Sequence, residues 1–383
     1  MNHAGVRYNQ YSMFRSPLLE ALSAQTANGA QAVRESDYRG TTTPASFSGV
    51  QEEFAALSNG CGVYDLGFRA RISLKGEDRV RWMNGMVTNN IRDLAARHGS
   101  YAFLLNPQGR ILGDMNIYNL GETLEVETDR SQLEKIIATF DHYIIMDDVE
   151  VTDLSEGWSA LGLAGPKSRA ILNGAGIGVP ELQPLQTHVA QCTCDCECLQ
   201  CMVVRGEDAL GESYELWLAP KDVYKTWNAL VSAGATPAGS EALEMRRIVA
   251  GVPLYGVDIR ERDLPQETEQ LRALNFNKGC YVGQEIVERI RSRGNVHRKF
   301  TGFMIEGGSV AVGAKVLSDE QEVGEVTSVA ASGERAFALG YIRREVGLPG
   351  REVRIGTVKA TVTQLPFDGV SAELAKDALL QHR

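Results

Sequence analysis

The chain has 383 residues, of which 43% are hydrophobic and 23% are charged, enough to bury the cores of two or three domains. A net charge of −10 and a pI near 5.3 argue against a broad nucleic-acid-binding surface. No apolar run approaches the roughly 20 residues of a membrane span, and residues 1–16 lack the apolar core of a signal peptide. We therefore expect a cytoplasmic monomer with no membrane partner.

The first three-quarters of the chain mixes helical patterns with strand patterns. Residues 36–48 form a polar, turn-rich entry segment. Residues 101–105 and 111–118 predict two strands joined by a turn at Asn106-Pro107-Gln108-Gly109. Other predicted helices are 16–30, 49–57, 131–140 and 220–233, and other strands are 70–74, 124–127, 149–153, 158–163, 203–205 and 214–218. This mixture predicts an α+β fold.

From residue 300 onward the pattern changes to short alternating segments separated by turns. They are 301–305, 322–329, 336–342, 352–355 and 358–363. Spacing of this kind is typical of a small antiparallel barrel or sandwich. We divide the chain into an N-terminal extension with the first helix (1–44), an α+β region (45–295), a C-terminal β-barrel (296–370) and a tail (371–383).

Five of the seven cysteines crowd into ten residues: Cys192, Cys194, Cys196, Cys198 and Cys201. An extended chain would place the first four on one face, where thiolates can hold Zn²⁺, Cu⁺ or an iron–sulfur species. The alternative is a surface hairpin tip that has become cysteine-rich. Such crowding does not resemble a secreted disulfide framework, so we expect reduced thiols.

Residues 277–285 read Asn-Lys-Gly-Cys-Tyr-Val-Gly-Gln-Glu and precede an amphipathic run. We expect a helix there, with Cys280 on the loop before its N-terminus. The helix dipole and nearby Lys278 would both favour a thiolate at Cys280. A buried structural cysteine is the alternative. No local motif of a zinc hydrolase or a serine hydrolase is present.

Residues Lys278 to Glu285 resemble the K-G-C-Y-x-G-Q-E signature of the YgfZ family, which is related to the glycine-cleavage T-protein. Four further segments are similar to T-protein motifs, and the resemblance spans roughly residues 45–365. They are Gly165-Pro166-Lys167, Gly211 to Leu216, Arg247 to Ile259 and Leu264 to Glu267.

The resemblance implies a folate-binding fold with three subdomains around a central hole, two of them interleaved within residues 45–295, and a C-terminal barrel. It also implies tetrahydrofolate as the ligand, with its pterin ring in the hole. Glu212 matches the pterin-binding segment best and Glu215 is second, since a carboxylate can accept two hydrogen bonds from a donor edge. Asn89, Tyr101, Arg247 and Tyr255 are further candidates, with core packing as the alternative for the two tyrosines.

One departure concerns the T-protein motif G-G-x-x-D-D, which here reads Gly109-Arg110-Ile111-Leu112-Gly113-Asp114. One of the two acids is missing, which weakens the case for aminomethyl transfer. Asp114 remains as the candidate acid. The cysteine cluster also lies outside the family pattern.

Three hypotheses follow. In the first, the protein is a folate-binding factor for iron–sulfur cluster assembly or repair, linked to tRNA modification, with assembly or client proteins as partners. Cys280 is then the essential thiol, Gly279 and Gly283 allow close backbone approach, and Gln284 and Glu285 orient the loop.

In the second hypothesis, the protein is a tetrahydrofolate-dependent aminomethyl- or methyltransferase that uses Asp114. In the third, it is a metal-binding protein that uses the cysteine cluster. Whether it catalyses a reaction stays open.

Overall fold

The computed structural model describes residues 14–26, 33–192, 199–294, 296–332 and 335–367. The helices in these ranges are α1 Pro17–Thr26, α2 Val50–Asn59, α3 Arg79–Met86, α4 Arg130–Tyr143, α5 Ser168–Gly174, α6 Pro220–Ser232, α7 Ser240–Val249 and α8 Gln284–Arg293. Two 3₁₀ turns, Pro265–Thr268 and Leu271–Ala273, lie between α7 and α8.

The strands are β1 Phe14–Arg15, β2 Arg34–Tyr38, β3 Thr41–Ser46, β4 Gly62–Asp65, β5 Arg69–Lys75, β6 Gly99–Leu105, β7 Ile111–Asn119, β8 Leu124–Asp129, β9 Glu150–Asp153, β10 Ser159–Ala164, β11 Thr187–Cys192, β12 Leu199–Arg205, β13 Ser213–Leu218, β14 Thr236–Ala238, β15 Arg298–Glu306, β16 Lys315–Ser318, β17 Gln321–Ser332, β18 Arg335–Arg343, β19 Glu352–Ile355 and β20 Val358–Thr363. They form a small sheet (β1-β3-β2), a five-stranded sheet (β6-β7-β8-β5-β9), a six-stranded sheet (β11-β12-β13-β10-β4-β14) and a closed barrel (β15-β18-β17-β16-β19-β20).

The five-stranded sheet buries one face against α4 because its strands alternate in polarity. In β7, Met115 and Ile117 pack with Ile136 and Phe140 of α4. Asp114, the residue before Met115, faces the other side of the sheet.

The six-stranded sheet follows the same rule. In β13, Tyr214, Leu216 and Leu218 enter a core that also contains Trp227 of α6. Glu215 and Trp217 therefore face the opposite side, toward the five-stranded sheet. There the Trp217 ring packs edge-on against Tyr118, with centroids 5.0 Å apart.

The barrel confirms the predicted C-terminal antiparallel unit. Its strands pair antiparallel throughout, and β19 and β20 have the predicted bounds. Phe300, Phe337 and Leu339 of the barrel pack with Met245 and Ile248 of α7, which holds the barrel against the rest of the molecule. The α+β prediction is likewise confirmed.

The expectation of an irregular entry segment at residues 36–48 was wrong. Strands β2 and β3 form a hairpin in which Tyr38 pairs with Thr41. The two turn residues, Arg39 and Gly40, both have positive φ (55° and 83°), the requirement of a tight two-residue hairpin. Polar side chains hid the strands in the sequence, although Thr41 and Thr43 are buried.

Candidate functional site

A cavity of about 270 Å³ lies where the two larger sheets, the β2–β3 turn and α7 meet. Part of the cavity wall is apolar, a common feature of small-molecule sites, and is formed by Leu66, Phe68, Leu243 and Leu254. Ionisable and polar side chains complete the lining: Tyr38, Arg39, Tyr64, Arg69, Tyr101, Asp114, Asn116, Asp129, Glu207, Asp208, Glu215, Arg246, Arg247 and Arg272.

Asp114 enters this cavity from β7 and is held at both carboxyl oxygens. The Tyr101 hydroxyl donates to Oδ2 at 2.7 Å, and Gln132 Nε2 donates to Oδ1 at 2.8 Å. Burial and the neighbouring Asp129 raise the pKa of Asp114 above its usual range, because both disfavour the carboxylate. The carboxyl is thus fixed in place and can hold a proton closer to neutral pH than an ordinary aspartic acid.

Glu215 enters the same cavity from β13 of the other sheet. Trp217 Nε1 donates to its Oε2 at 3.1 Å, and Glu127 of β8 forms a hydrogen bond with its carboxyl group. Burial, and next the charge of Glu127, raise the pKa of Glu215 to about 8. Below that pH the proton can lie between the two carboxylates, which removes the repulsion between them.

A ladder of buried ion pairs lies beside these two acids. Arg69 donates to Glu127 at 2.9 Å and to Asp129 at 2.6 Å, and Arg39 lies 3.4 Å from Asp129. Burial opposes ionisation of Asp129, but Arg39 and Arg69 outweigh it, so the pKa of Asp129 is lowered. Acids whose pKa values are driven apart within one cavity are typical of functional sites.

The structure brings four sequence-predicted residues to the cavity: Tyr101, Asp114, Glu215 and Arg247. Arg247 is already fully engaged. Its guanidinium donates to Glu244, Asp258, the Val252 carbonyl and Ser328. It therefore positions the cavity wall, and it has no free N–H fork to offer a ligand.

Glu212, the first choice for the ligand-binding acid, lies outside the cavity lining. Its Oε1 accepts a hydrogen bond from the Tyr214 hydroxyl at 2.6 Å and lies 3.7 Å from Arg169. Glu215 takes its place because the side chains of β13 alternate between the core and the cavity.

Asn89 and Tyr255 also lie outside the lining, and both are used to build the fold. Asn89 Nδ2 donates to the carbonyls of Tyr101 and Arg272, each at 2.8 Å. The Tyr255 hydroxyl accepts from Lys135 Nζ at 2.7 Å. Asn89 thus fixes the backbone next to two residues that do line the cavity.

The loop of Cys280 lies away from the cavity, and its thiol is exposed. The helix predicted after it is confirmed as α8. The predicted role of Lys278 was wrong. Its ammonium is buried and donates to the carbonyls of Asn84, Val87 and Asn89 at 2.5–2.6 Å. It anchors the loop at the C-terminal end of α3 and points inward, away from solvent.

Gly283 lets α8 begin directly against the β6–β7 turn. Its φ is 81°, and a Cβ there would lie 2.6 Å from the Asn106 carbonyl oxygen. A Cβ at Gly279 would lie 3.1 Å from Arg92 Nη2, closer than an ordinary van der Waals contact. Gln284 and Glu285 form the first turn of α8, where an acid suits the helix dipole.

The cysteine cluster is only partly within the described residues. Cys201 is 2% exposed and packs in the core of the six-stranded sheet. Cys192 ends β11, and Cys194, Cys196 and Cys198 lie outside the described residues. Over the ranges that are described, no group of three or more His, Cys, Asp or Glu side chains is arranged to hold a metal ion.

Comparison with known proteins assigns the family. Residues 18–278 match the GCVT N-terminal domain, and residues 298–368 match the glycine cleavage T-protein C-terminal barrel domain. The chain belongs to the glycine cleavage T-protein family. An aminomethyltransferase from Rubrobacter xylanophilus is 30% identical over 92% of this chain and 94% of its own length.

A further relative and a solved structure are also similar to this T-protein family member. A putative chloroplastic transferase from Arabidopsis thaliana is 27% identical over 84% of this chain and 74% of its own length. The crystal structure of aminomethyltransferase T from Bartonella henselae shares the fold, with a TM-score of 0.80, 21% identity and coverage of 93% of this chain and 98% of that chain. Among the described helices, none is long and apolar enough to cross a membrane.

The missing acid of the T-protein motif does not face the cavity. A Cβ at Gly113 would lie 3.0 Å from Gln132 Oε1 and 3.5 Å from Ile136, on the side packed against α4. The acid retained at Asp114 is the one that lines the cavity. The glycine at position 113 therefore does not remove a carboxyl from the candidate site, since the Asp114 carboxyl is still present there.

Several cavity residues escaped prediction from sequence. Arg69 of β5 and Asp129 of β8 line the cavity. Each belongs to a run of charges at every second position, Arg69 and Arg71 on β5 and Glu125, Glu127 and Asp129 on β8. Charges with that period on a strand indicate a polar face, which is a usable signal. Arg39, Glu207 and Arg272 reach the cavity from turns, and the local sequence carries no comparable pattern for them.

Proposed function

We propose that this protein is a tetrahydrofolate-dependent one-carbon transferase of the aminomethyltransferase type. One observation carries the proposal: Asp114 and Glu215, from two different sheets, present raised-pKa carboxyls to a single partly apolar cavity. The names of its relatives support the reaction type.

The cavity suits a flat heterocycle with polar edges. A pterin presents adjacent N–H donors, which a carboxylate accepts as a pair, and Glu215 is the acid we assign to that edge. Phe68, Leu66 and Leu254 offer apolar surface to the ring faces. At about 270 Å³ the cavity is small for a whole folate, but it shares lining residues, including Glu207 and Arg272, with a second, outer cavity of about 610 Å³.

Tetrahydrofolate supplies a ring nitrogen that carries the one-carbon unit. The protein supplies the rest. We assign Asp114 to hold or move a proton beside that nitrogen, because its carboxyl is desolvated and has a raised pKa. Tyr101 and Gln132 fix the orientation of the carboxyl.

Exchanging the acid on β13 tests the binding assignment. We expect Glu215→Gln to weaken tetrahydrofolate binding by about 10- to 100-fold, the loss of a hydrogen-bonded pair to a charged acceptor. Glu212→Gln should change the affinity less than about twofold, because that side chain lies outside the cavity. Isothermal titration calorimetry measures both. Equal effects of the two substitutions would contradict the assignment.

The pH dependence follows from the same carboxyl. With a pKa of about 8 in the free protein, Glu215 must release its proton before it accepts two hydrogen bonds. Affinity should therefore fall as the pH drops below about 8, and Glu215→Gln should abolish that dependence. A wild-type affinity that is flat through this range would count against Glu215 as the acceptor.

A second candidate is a folate-binding factor of the YgfZ branch that supports iron–sulfur cluster assembly or repair, with a link to tRNA modification. The exposed Cys280 thiol, on a loop fixed by buried Lys278, favours it. An exposed thiol that is held in place can engage a cluster or an acceptor protein.

This candidate predicts the outcome of expressing the Cys280→Ala variant in a strain that lacks the wild-type protein. The activity of a [4Fe–4S] enzyme should then be as low as in the strain that carries no copy of the protein. Oxidative stress would sharpen the difference, and enzyme activity at equal protein abundance is the measurement. The Asp114→Asn variant should support normal cluster activity in the same strain. Full activity with Cys280→Ala would remove the candidate.

A further inference from the structure

The 270 Å³ cavity, here called the central cavity, and the outer cavity share part of their lining, including two oppositely charged side chains. Glu207, on the loop between β12 and β13, and Arg272, in the 3₁₀ turn before α8, line both cavities. The Arg272 Nη1 donates to the Glu207 carboxylate, so the ion pair lies at the shared border of the two cavities.

Arg272 also contacts the candidate acid site through one intermediate residue. Its guanidinium lies over the Tyr101 ring, 4.1 Å from the centroid, and the Tyr101 hydroxyl donates to Asp114. Arg272 Nε donates to Gln270 at 3.3 Å, while Nη2 makes no hydrogen bond to any described residue. The Nη2 side of the guanidinium group therefore has no hydrogen-bond acceptor among the described residues.

The ion pair is partly exposed to solvent: the side chains of Arg272 and Glu207 are 34% and 37% exposed. Pairs this exposed contribute little to stability, so replacing one partner costs little. Arginine presents a planar fork that fits a carboxylate with two parallel hydrogen bonds, and a single Glu207 contact does not fill it.

We propose that Arg272 is the receptor for an anionic group of the ligand, and that Glu207 occupies that receptor until the ligand displaces it. The anionic group is a carboxylate on the part of the ligand that extends from the central cavity into the outer one. Lys299 and Arg205 also line the outer cavity and add positive charge along this path. The inference rests on the proposed folate function and assigns a residue that selects ligands with such an extension.

Two probes separate this role from a structural one. Tetrahydrofolate carries the glutamate carboxylates, and 6-methyltetrahydropterin carries the same ring without them. We expect Arg272→Gln to weaken tetrahydrofolate binding about tenfold. The same change should leave 6-methyltetrahydropterin binding within about twofold of wild type, because that probe has no group for Arg272.

Glu207→Gln should act in the opposite direction. Without the competing carboxylate, tetrahydrofolate should bind about two- to fivefold more tightly, and the gain should shrink in high salt. Glu269→Gln is the matched control: Glu269 lines the same outer cavity but lies against Arg344, at 3.7 Å. It removes an equal charge without freeing Arg272 and should change affinity less than about twofold.

The outcomes are distinct. Equal losses for both probes in Arg272→Gln would mean that Arg272 acts by supporting Tyr101, and would overturn the inference. A Glu207→Gln variant that matches Glu269→Gln would also overturn it, since Glu207 would then be no competitor. Wild-type protein that binds neither probe would refute the proposed function itself, and this inference with it.

Discussion

Asp114→Asn is expected to lower the turnover number for one-carbon transfer by about 10²- to 10⁴-fold while the affinity for tetrahydrofolate changes little. The amide has the size of the carboxyl and can still accept from Tyr101, although it then loses the hydrogen bond from Gln132. It cannot hold or move the proton. Formation of one-carbon-substituted tetrahydrofolate from an aminomethyl donor, followed in a single turnover, measures the effect.

The control for Asp114→Asn is Tyr101→Phe, which removes one of the two hydrogen bonds that orient the carboxyl and keeps the acid. We expect a loss of about tenfold, the size of one hydrogen bond to a charged group. An Asp114→Asn variant with wild-type turnover would exclude the carboxyl from the reaction. A variant with lost folate binding would instead assign Asp114 to the ligand contacts.

The alternation of apolar residues was the most informative feature of the sequence. It predicted five of the six barrel strands, all but β16, together with the β6–β7 hairpin and the α+β class, because each of these elements buries one face. The same alternation also indicates which of Glu212 and Glu215 faces the cavity. Tyr214, Leu216 and Leu218 mark the core face of β13, so Glu215 had to point the other way. Motif similarity alone favoured Glu212, which precedes the strand.

Other parts of the site could not be read from local pattern. Lys278 is two residues from Cys280 in sequence, yet its ammonium is bound to carbonyls at residues 84–89, almost two hundred positions earlier in the chain. Proximity in sequence says nothing about the direction of a long side chain. Arg272 and Glu207 meet in the same way, across 65 positions. Contacts of this kind depend on the tertiary fold.

The joint between α7 and the barrel contains a buried ion pair in addition to its apolar packing. Arg247 Nη1 donates to Asp258 Oδ2 at 2.6 Å, and Nη2 donates to Ser328 of β17 at 2.8 Å. Asp258 is fully buried and also accepts from Thr327 and Ser328. The pair thus connects the helix, the 252–258 loop and the barrel at the cavity wall.

Arg247→Met should therefore lower the free energy of unfolding by about 3–5 kcal/mol, because the buried Asp258 carboxyl would lose the cation that pairs with it. Urea denaturation measures the change.

Arg260→Met is the matched control. It breaks an exposed pair between the same loop region and the same strand, Glu325 at 3.3 Å, and should cost less than about 1 kcal/mol. Adding Asp258→Asn to Arg247→Met should recover part of the loss, since the uncompensated charge is then gone. Equal costs for Arg247→Met and Arg260→Met would show that the buried pair does not hold the barrel in place.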